Sequence, residues 1–309
     1  MASVIHVATV GDESFKYGVA ALFQTICQTL NPAARVQFHV VDMNLQPATR
    51  EALRATVKMQ ERALGITFLN PEESACFRNL REILLRSRPR APFREKCWLA
   101  KFAIPDLLTT ESRCLYLDSD ILCGRDLGEL NSFDWGQNWL LAARDLPVTG
   151  VGKAWEFELA KLNPAAPYFN GGFMYFDLAA WRRENLCAKA PPAFQLAPER
   201  MIDQGIFNLI YFGRWLVLDG EWNHQCPYTY GIFGDLSKGR KFLVHYVARP
   251  KPWQYPADAR SAEFFAALDK TAYAGWRPNP LYWAAQYKWL EFKLLIGNLL
   301  KQLRRIVRR

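Results

Sequence analysis

Asp118 and Asp120, two carboxylates separated by one residue, are the residues of this sequence whose types and spacing most clearly indicate a chemical function. They follow the apolar run Leu115–Leu117, which predicts a buried strand that ends beside them. Open α/β sheets bind ligands at the carboxyl ends of their strands. Carboxylates at i and i+2 can hold a hard divalent cation that keeps substrate phosphates in its shell. The pair therefore predicts a site for a metal-bound phosphate or diphosphate, although two solvated acids at a strand end would give the same pattern.

Two later segments carry amides suited to a polar ligand. Asn170 precedes Gly171 and Gly172, and glycines allow the backbone to approach a ligand closely, while an amide can both donate to and accept from sugar hydroxyls. A bulged strand is the structural alternative for this segment. Asp203 and Gln204 place a carboxylate and an amide at a predicted helix start, where an N-cap at Asp203 is the alternative.

A histidine, a lysine and a further carboxylate complete the set. His245 ends a predicted strand, and a neutral imidazole can complete a manganese-type shell that already has two carboxylates. Lys251 follows in a short proline-rich turn and can meet phosphate charge on a leaving group. Asp145 ends another predicted strand on the same expected edge of the sheet. A single histidine at a strand end is more often structural, so a metal-binding role for His245 depends on the other residues of the set.

The elements that must position these residues follow from apolar periodicity. Alternating strands and helices in the first 70 residues predict a doubly wound α/β sheet. The segment 70–92 is predicted to hold a helix and a mobile loop. The predicted helices are Ser14–Leu30, Pro47–Ala63, Glu95–Leu108, Leu178–Arg183 and Met201–Phe212. The predicted strands are Val4–Val10, Arg35–Asp42, Ile66–Leu69, the run that ends at Asp118, Trp139–Arg144, the interrupted segment Tyr168–Asp177, Trp215–Leu218 and Phe242–Tyr246.

Composition narrows the class of protein. The chain has 309 residues, half of them hydrophobic, which is ample for one large α/β domain and an appendage. Its seven cysteines form no CxxC pair and no zinc-type cluster, so reduced thiols of a cytosolic protein are expected. The N-terminus enters a strand without a signal-peptide pattern. We expect no membrane span, because the sequence has no stretch of about 18 uncharged apolar residues.

The net charge of +9 is concentrated at the C-terminus, where the last nine residues hold five basic side chains and no acid. Elsewhere acids and bases are interspersed, which argues against a nucleic-acid partner. The segment Leu281–Arg309 is predicted as a helix with one apolar stripe beside its basic residues. Such a helix suits an anionic membrane surface. A helix docked on its own domain, with a frayed basic end, is the alternative.

Taken together, these motifs resemble glycosyltransferase family 8, whose members are retaining enzymes of the GT-A fold. The likeness is greatest to bacterial lipooligosaccharide α-galactosyltransferases and to lipopolysaccharide-core glucosyl- and galactosyltransferases. It implies a single Rossmann-like mixed sheet flanked by helices, with a C-terminal amphipathic basic helical tail. It further implies a catalytic domain over 1–253 and a membrane-surface attachment segment over 254–309. The motifs that carry it are Tyr116-Leu117-Asp118-Ser119-Asp120-Ile121-Leu122, Tyr168-Phe169-Asn170-Gly171-Gly172, Asp203-Gln204, His245-Tyr246 and Lys251-Pro252-Trp253.

The resemblance also implies roles for individual residues. Lys251 would contact the diphosphate and support the departing UDP, and Lys101 stands where the family usually has an arginine that reaches the donor. Gln204 would lie beside the anomeric carbon. Contacts to the donor sugar would come from Asp145, Asn170, Gly171 and Asp203. Mn²⁺, with Mg²⁺ as a substitute, would be bound by Asp118, Asp120 and His245.

Two segments depart from the family pattern. The first strand usually leads into an Asp-x-Asn-Tyr-like segment that grips the uracil and ribose, whereas here Asp12 is followed by Glu13 and no tyrosine comes directly after it. Asp12 is the candidate for this contact. The turn after His245 usually has a glycine before the lysine, and here Ala248 and Arg249 occupy it.

The implied activity is transfer of galactose or glucose from a UDP-sugar to a saccharide acceptor, such as a lipopolysaccharide or lipooligosaccharide core. The location would be cytoplasmic, peripheral on the inner face of the cytoplasmic membrane. An amide at Gln204 is a poor nucleophile, which favours front-face attack by the acceptor, with Asp203 as the candidate nucleophile for a double displacement. Other readings are a catalytically silent nucleotide-sugar or glycan-binding protein at the membrane surface, or a sugar nucleotidyltransferase.

Overall fold

The computed structural model describes residues 3–145, 153–196, 202–226, 242–247, 251–254 and 259–279. A seven-stranded sheet forms its centre, and a second sheet has three short strands. The central sheet contains β1 (Val4–Gly11), β2 (Arg35–Asp42), β3 (Ala63–Leu69), β4 (Arg113–Leu117), β6 (Leu140–Ala143), β7 (Phe173–Asp177) and β8 (Trp215–Leu218). The second sheet contains β5 (Ile121–Cys123), β9 (His224–Gln225) and β10 (Leu243–His245).

The central sheet is mixed, with the strand order β3-β2-β1-β4-β7-β6-β8. Strand β1 pairs in parallel with β2 and with β4, and β6 pairs in parallel with β8. Strand β7 runs antiparallel to both of its neighbours, β4 and β6. The carboxyl ends of β1, β4 and β6 therefore meet the amino end of β7 at one edge. The expected mixed α/β sheet is confirmed.

Helices flank both faces of this sheet, because side chains alternate along the buried strands. In β1, for example, Val7 belongs to the core on one face and Ala8 to the core on the other. The helices among the described residues are α1 (Lys16–Thr29), α2 (Pro47–Lys58), α3 (Ala75–Ser87), α4 (Phe93–Leu99), α5 (Ile104–Leu107), α6 (Lys153–Leu159), α7 (Leu178–Arg183), α8 (Ala190–Leu196), α9 (Ile202–Ile210) and α10 (Ala259–Leu268).

The single helix predicted over Glu95–Leu108 is instead three short pieces, with a 3₁₀ turn over Ala100–Ala103 between α4 and α5. Pro105 has no backbone N–H to donate to the carbonyl of Lys101, so a regular α-helical bond is missing there. The N–H of Ile104 bonds that carbonyl instead, which tightens the turn. This turn carries Lys101.

One other predicted boundary was wrong. The helix that begins at Pro47 ends at Lys58, because the chain already enters β3 at Ala63. The strand predicted to end at Asp118 is confirmed as β4, which ends at Leu117, and the short strand β5, which was not predicted, belongs to the second sheet. The predicted start of the helix at Met201 lies outside the described residues.

The C-terminal part of the described chain packs on the N-terminal part. Trp276 stacks on Tyr17 of α1 with the ring centroids 3.6 Å apart, and Trp253 packs against Phe264 of α10 at 5.3 Å. Residues 259–279 thus contact the part of the chain before residue 254, and the division predicted at residue 253 stays a prediction. The tail helix predicted over Leu281–Arg309 lies outside the described residues.

The seven cysteines are free thiols, and six of them are buried, as expected for a reduced protein. None of the helices described has the length and apolar character that crossing a membrane would need.

Candidate active site

The edge where β1, β4 and β6 end and β7 begins collects most of the predicted site residues. Asp118 follows β4 directly, and Asp145 lies two residues beyond β6. The segment Asn170–Gly172 precedes β7, so its reversed direction brings this segment to the same edge. The N–H of Asp118 donates to the carbonyl of Gly172 at 2.8 Å, which joins the carboxylate motif to the glycine motif.

The second sheet brings His245 to this edge. Strand β10 pairs antiparallel with β5, and in this register His245 lies opposite Ile121. The N–H of Tyr246 extends the pairing by donating to the carbonyl of Asp120 at 3.0 Å. Asp120 and His245 are therefore neighbours through backbone pairing, although they are far apart in the sequence.

Asp118, Asp120 and His245 form a candidate metal centre. Each offers one ligand atom, and these atoms lie within 4.8 Å of one another. His245 Nε2 is 3.6 Å from Asp118 Oδ2 and 3.3 Å from Asp120 Oδ1. Asp120 Oδ1 is buried and has no hydrogen-bond partner among the described residues, a state that costs free energy unless a cation satisfies it. Two carboxylates and one imidazole are a donor set that suits Mn²⁺, so the residues fit the metal.

Lys251 supplies positive charge at the rim of this centre. Its Nζ donates to Asp120 Oδ2 and, at 2.7 Å, to the carbonyl of Tyr246. Burial by itself would raise the pKa of Asp120, but the ammonium group of Lys251, with a smaller contribution from His245, outweighs it and holds that pKa well below its usual range. Asp120 is therefore an anion at neutral pH.

Lys101 is a second buried cation, placed between two carboxylates. Its Nζ lies 3.1 Å from Asp118 Oδ1 and 2.6 Å from Asp203 Oδ2, and it donates to the carbonyl of Gly171 at 3.1 Å. Burial would lower the pKa of Lys101, but Asp118 and Asp203 together raise it above its usual value. The Tyr116 hydroxyl also donates to Asp118 Oδ1. The chain thus holds Lys101 charged inside the protein.

The amides of the site hydrogen-bond with the side chains and backbone of neighbouring site residues. Asn170 Nδ2 donates to Asp145 Oδ1 at 3.1 Å, and Gln204 Oε1 accepts from the N–H of Gly171 at 2.9 Å. The other end of the Gln204 amide, Nε2, is buried near the Tyr168 hydroxyl without a well-formed hydrogen bond. A ligand that reaches Gln204 would meet an unused donor.

Asp203 lies in the first turn of α9, and its carboxylate pairs with Lys101. Asp12 follows β1 at the same edge, but it serves the start of α1. Its Oδ1 accepts from the N–H of Ser14 at 2.6 Å and of Phe15 at 3.1 Å. In the described part of the chain it makes no hydrogen bond to the other predicted site residues. Ala248 and Arg249 lie outside the described residues.

The structure adds two residues that the sequence analysis did not single out. A Cβ on Gly172 would lie 2.2 Å from His245 Cε1 and 2.9 Å from Asp118 Oδ2, so only glycine leaves room for the metal ligands. Asn223 Oδ1 lies 2.8 Å from His245 Nδ1. Gly172 had a signal in the double glycine. Asn223 had none, because it stands 22 residues before His245 and meets it only through the pairing of β9 with β10.

Comparison with known proteins places this geometry in a family. The sequence profile described as "Glycosyl transferase family 8" matches residues 6–257. General stress protein A of Bacillus subtilis is 24% identical over 81% of this chain and 87% of its own length. The lipopolysaccharide 1,3-galactosyltransferase of Salmonella typhimurium is 23% identical over 78% of this chain and 71% of its own. Glycosyltransferase GlyE of Streptococcus pneumoniae is 30% identical, but the match covers half of this chain and 36% of GlyE.

Solved structures share the fold. The galactosyltransferase LgtC, crystallised with donor and acceptor sugar analogs, superposes with a TM-score of 0.64 at 20% identity, over 91% of this chain and 99% of LgtC. The bifunctional glycosyltransferase WbbM gives a TM-score of 0.71 at 18% identity, and the match covers 89% of this chain and 51% of WbbM. At these identities the likeness establishes the architecture.

Proposed function

The chain belongs to glycosyltransferase family 8, and we propose that it transfers galactose or glucose from a UDP-sugar to a saccharide acceptor, with retention at the anomeric carbon and with Mn²⁺. The observation that carries this proposal is the meeting of Asp118, Asp120 and His245, where the buried Oδ1 of Asp120 has no hydrogen-bond partner among the described residues. A metal at this centre would bind the diphosphate, and the neighbouring amides of Asn170 and Gln204 would bind the sugar.

The leaving group would be stabilised from two directions. When bound, the divalent cation supplies Lewis-acid neutralisation of the diphosphate charge. Lys251 already places its ammonium group against Asp120, so a fixed positive charge stands where charge would grow on the departing UDP. Because both Lys251 and Asp120 are buried, the charge is screened little by water.

The surroundings of Asp203 favour front-face attack by the acceptor over a double displacement. Its carboxylate is paired at 2.6 Å with the buried Lys101, which neutralises the charge that a nucleophile needs. Gln204 is fixed by the N–H of Gly171 and would orient the donor sugar through its amide. In this scheme Lys101, Asp203 and Gln204 shape the sugar pocket, and the leaving phosphate oxygen takes the proton of the acceptor hydroxyl.

For the acceptor we propose a lipopolysaccharide-type saccharide, reached at the cytoplasmic face of a membrane. The Salmonella relative acts on lipopolysaccharide according to its name, which supports this class of acceptor. The basic, apolar-striped segment 281–309 would bring the enzyme to an anionic surface where glycolipids are exposed.

A screen of UDP-sugars tests the donor. The protein is incubated with Mn²⁺ and with UDP-galactose, UDP-glucose, UDP-N-acetylglucosamine or UDP-glucuronic acid, and UDP release is measured without an added acceptor. We expect slow release of UDP from either UDP-galactose or UDP-glucose. Cleavage of the diphosphate into UMP and the sugar 1-phosphate, instead of release of UDP, would indicate nucleotidyl-type chemistry, and binding of a UDP-sugar without turnover would indicate a silent binding protein.

A further inference from the structure

We infer that Asn223 is a positioning residue for the metal centre: it fixes the tautomer of His245 so that Nε2 presents its lone pair between Asp118 and Asp120. The inference rests on the proposed metal site and adds a residue to it. It follows from a series of hydrogen bonds whose direction is set by groups that can only donate.

The series begins at the backbone of Gly172, whose N–H can act only as a donor. It donates to Asn170 Oδ1 at 3.0 Å, which identifies the oxygen end of the Asn170 amide. The nitrogen end of that amide then faces Asp145 Oδ1, at 3.1 Å, where a carboxylate accepts.

The orientation of the Asn170 amide in turn fixes the orientation of the Asn223 amide. Asn223 Nδ2 donates to the same Asn170 Oδ1 at 2.9 Å, so Asn223 must turn its oxygen the other way. That oxygen lies 2.8 Å from His245 Nδ1, and an amide oxygen can only accept. His245 Nδ1 therefore carries a proton, and Nε2 is the atom that faces the two carboxylates.

Burial makes this direction hard to reverse. Asn170, Asn223 and His245 are all nearly inaccessible to water, so flipping one amide would leave a buried donor facing a donor. The turn that carries Asn223 is itself held in place, because Asp219 Oδ1 accepts from the N–H of Glu221 at 2.9 Å. Partners that fix the second nitrogen of a metal-binding imidazole commonly contribute 10- to 100-fold, in order of magnitude, to metal affinity.

Mn²⁺ affinity, measured with the metal alone by the electron paramagnetic resonance signal of the free ion, tests this role. Asn223→Leu keeps the branched shape of the side chain but removes the acceptor, so we expect affinity to fall by about 10- to 100-fold. Asn223→Asp keeps an acceptor for Nδ1–H but loses the donor to Asn170 Oδ1, so its affinity should fall less than that of Asn223→Leu. Asn138→Leu is the matched control, because Asn138 donates to the carbonyl of Trp135 outside the site. Unchanged affinity in Asn223→Leu, or equal loss in both Asn223 variants, would overturn the inference.

A second measurement uses the unchanged protein and does not depend on whether a variant folds. The chain has four histidines, so ¹⁵N-histidine labelling gives few signals, and His245→Gln identifies those of His245. In the protein saturated with the diamagnetic ion Mg²⁺, we expect Nδ1 of His245 to be protonated and Nε2 unprotonated. A proton on Nε2 would overturn the inference. Neither readout uses a sugar donor, so failure of the proposed transfer reaction would leave both results interpretable.

Discussion

Gly172 shows how closely the candidate metal ligands are packed against the backbone. A Cβ on this residue would lie only 2.2 Å from the His245 ring and 2.9 Å from the Asp118 carboxylate. No φ constraint is needed to explain the glycine, since the crowding alone requires it. At the residue scale the site therefore depends on the absence of a side chain as much as on the presence of three ligands.

Gly172→Ala should weaken Mn²⁺ binding by about tenfold or more. Relieving the clash of the added Cβ costs about 1–3 kcal/mol, and here it displaces His245 or Asp118. Metal titration of the two proteins measures the effect. Gly220→Ala is the matched control, because a Cβ at Gly220 would meet nothing within 4 Å. Wild-type affinity in Gly172→Ala would mean that the ligand positions are not those described.

The sequence predicted Asp118, Asp120, His245 and Lys251 because each stands at a strand end or in the turn after one, where chemistry is expected. It could not predict Asn223. The value of Asn223 comes from a side-chain hydrogen bond across β9 and β10, and such a pairing leaves no spacing pattern in one sequence.

At the scale of elements, α1 lies unusually close to the turn between the two metal carboxylates. A Cβ on Gly18 would lie 2.2 Å from the carbonyl oxygen of Ser119 and 2.9 Å from Trp253 Cη2. Helix α1 therefore supports the backbone from which both Asp118 and Asp120 project.

Gly18→Ala should lower the free energy of unfolding by about 1–3 kcal/mol, even though alanine favours helices. The backbone of Ser119 and the packed indole of Trp253 cannot both move away from the added Cβ. Urea unfolding of the two proteins gives the difference. Gly65→Ala, whose Cβ would make an ordinary contact at 3.5 Å with Gln37, should change stability by far less. If Gly18→Ala were as stable as the parent, the close approach of α1 to this turn would be wrong.

Strands β1 and β2 carry a stacked histidine pair that should make stability depend on pH. His6 Nδ1 lies 3.1 Å from His39 Nε2. Burial, with a smaller contribution from the neighbouring His6, lowers the pKa of His39 to about 4. An unfolded histidine has a pKa near 6.5, so between pH 6.5 and 4 the unfolded chain binds more protons than the folded one, and stability falls as the pH falls.

The free energy of unfolding should therefore drop by at most about 1.4 kcal/mol per pH unit on account of His39 in this window. Chemical denaturation in chelator at several pH values measures the slope. His39→Gln should flatten it, whereas His224→Gln, which changes an exposed ring, should leave it unchanged. An equal slope in His39→Gln and the parent would exclude His39 as the source.

Helices and strands were predicted correctly where the apolar periodicity and the turn-forming residues indicated the same boundaries. The first strands and α1 were placed to within a few residues because apolar runs are bounded there by clear turn residues. It failed at Pro105, where a continuous apolar pattern hides a break in the helix, and it did not identify the short strand Ile121–Cys123. Which sheet a short strand joins is decided by tertiary pairing, which local sequence does not encode.

At the scale of the whole molecule, more than half of the net charge of +9 falls in the last nine positions of the sequence, which hold five basic residues and no acid. In the site, by contrast, Lys101 and Lys251 are paired with the carboxylates of Asp118, Asp203 and Asp120. We therefore expect membrane attachment and catalysis to be separable.

Deletion of residues 282–309 should reduce binding to anionic lipid vesicles while transfer to a short, water-soluble acceptor persists. Each basic side chain near such a surface contributes about 1 kcal/mol, so affinity should fall by orders of magnitude. Vesicle sedimentation with phosphatidylglycerol measures it, and vesicles of neutral phosphatidylcholine are the control. Equal sedimentation of the full and shortened proteins would contradict a role for the tail.

Asp118, Asp120 and His245 are proposed to bind the metal on which transfer from a UDP-hexose depends. UDP release from the preferred UDP-hexose is measured for the parent, for Asp120→Asn and for Asp134→Asn, each with Mn²⁺ and with EDTA. Asp134 is exposed and, in the described part of the chain, accepts a local bond from the N–H of Gly136 at 2.9 Å, so it is the matched control. We predict Mn²⁺-dependent release by the parent and by Asp134→Asn, lost in EDTA, and release by Asp120→Asn reduced by about 100-fold or more. Release that persists in EDTA, or that survives in a folded Asp120→Asn protein, would contradict the account.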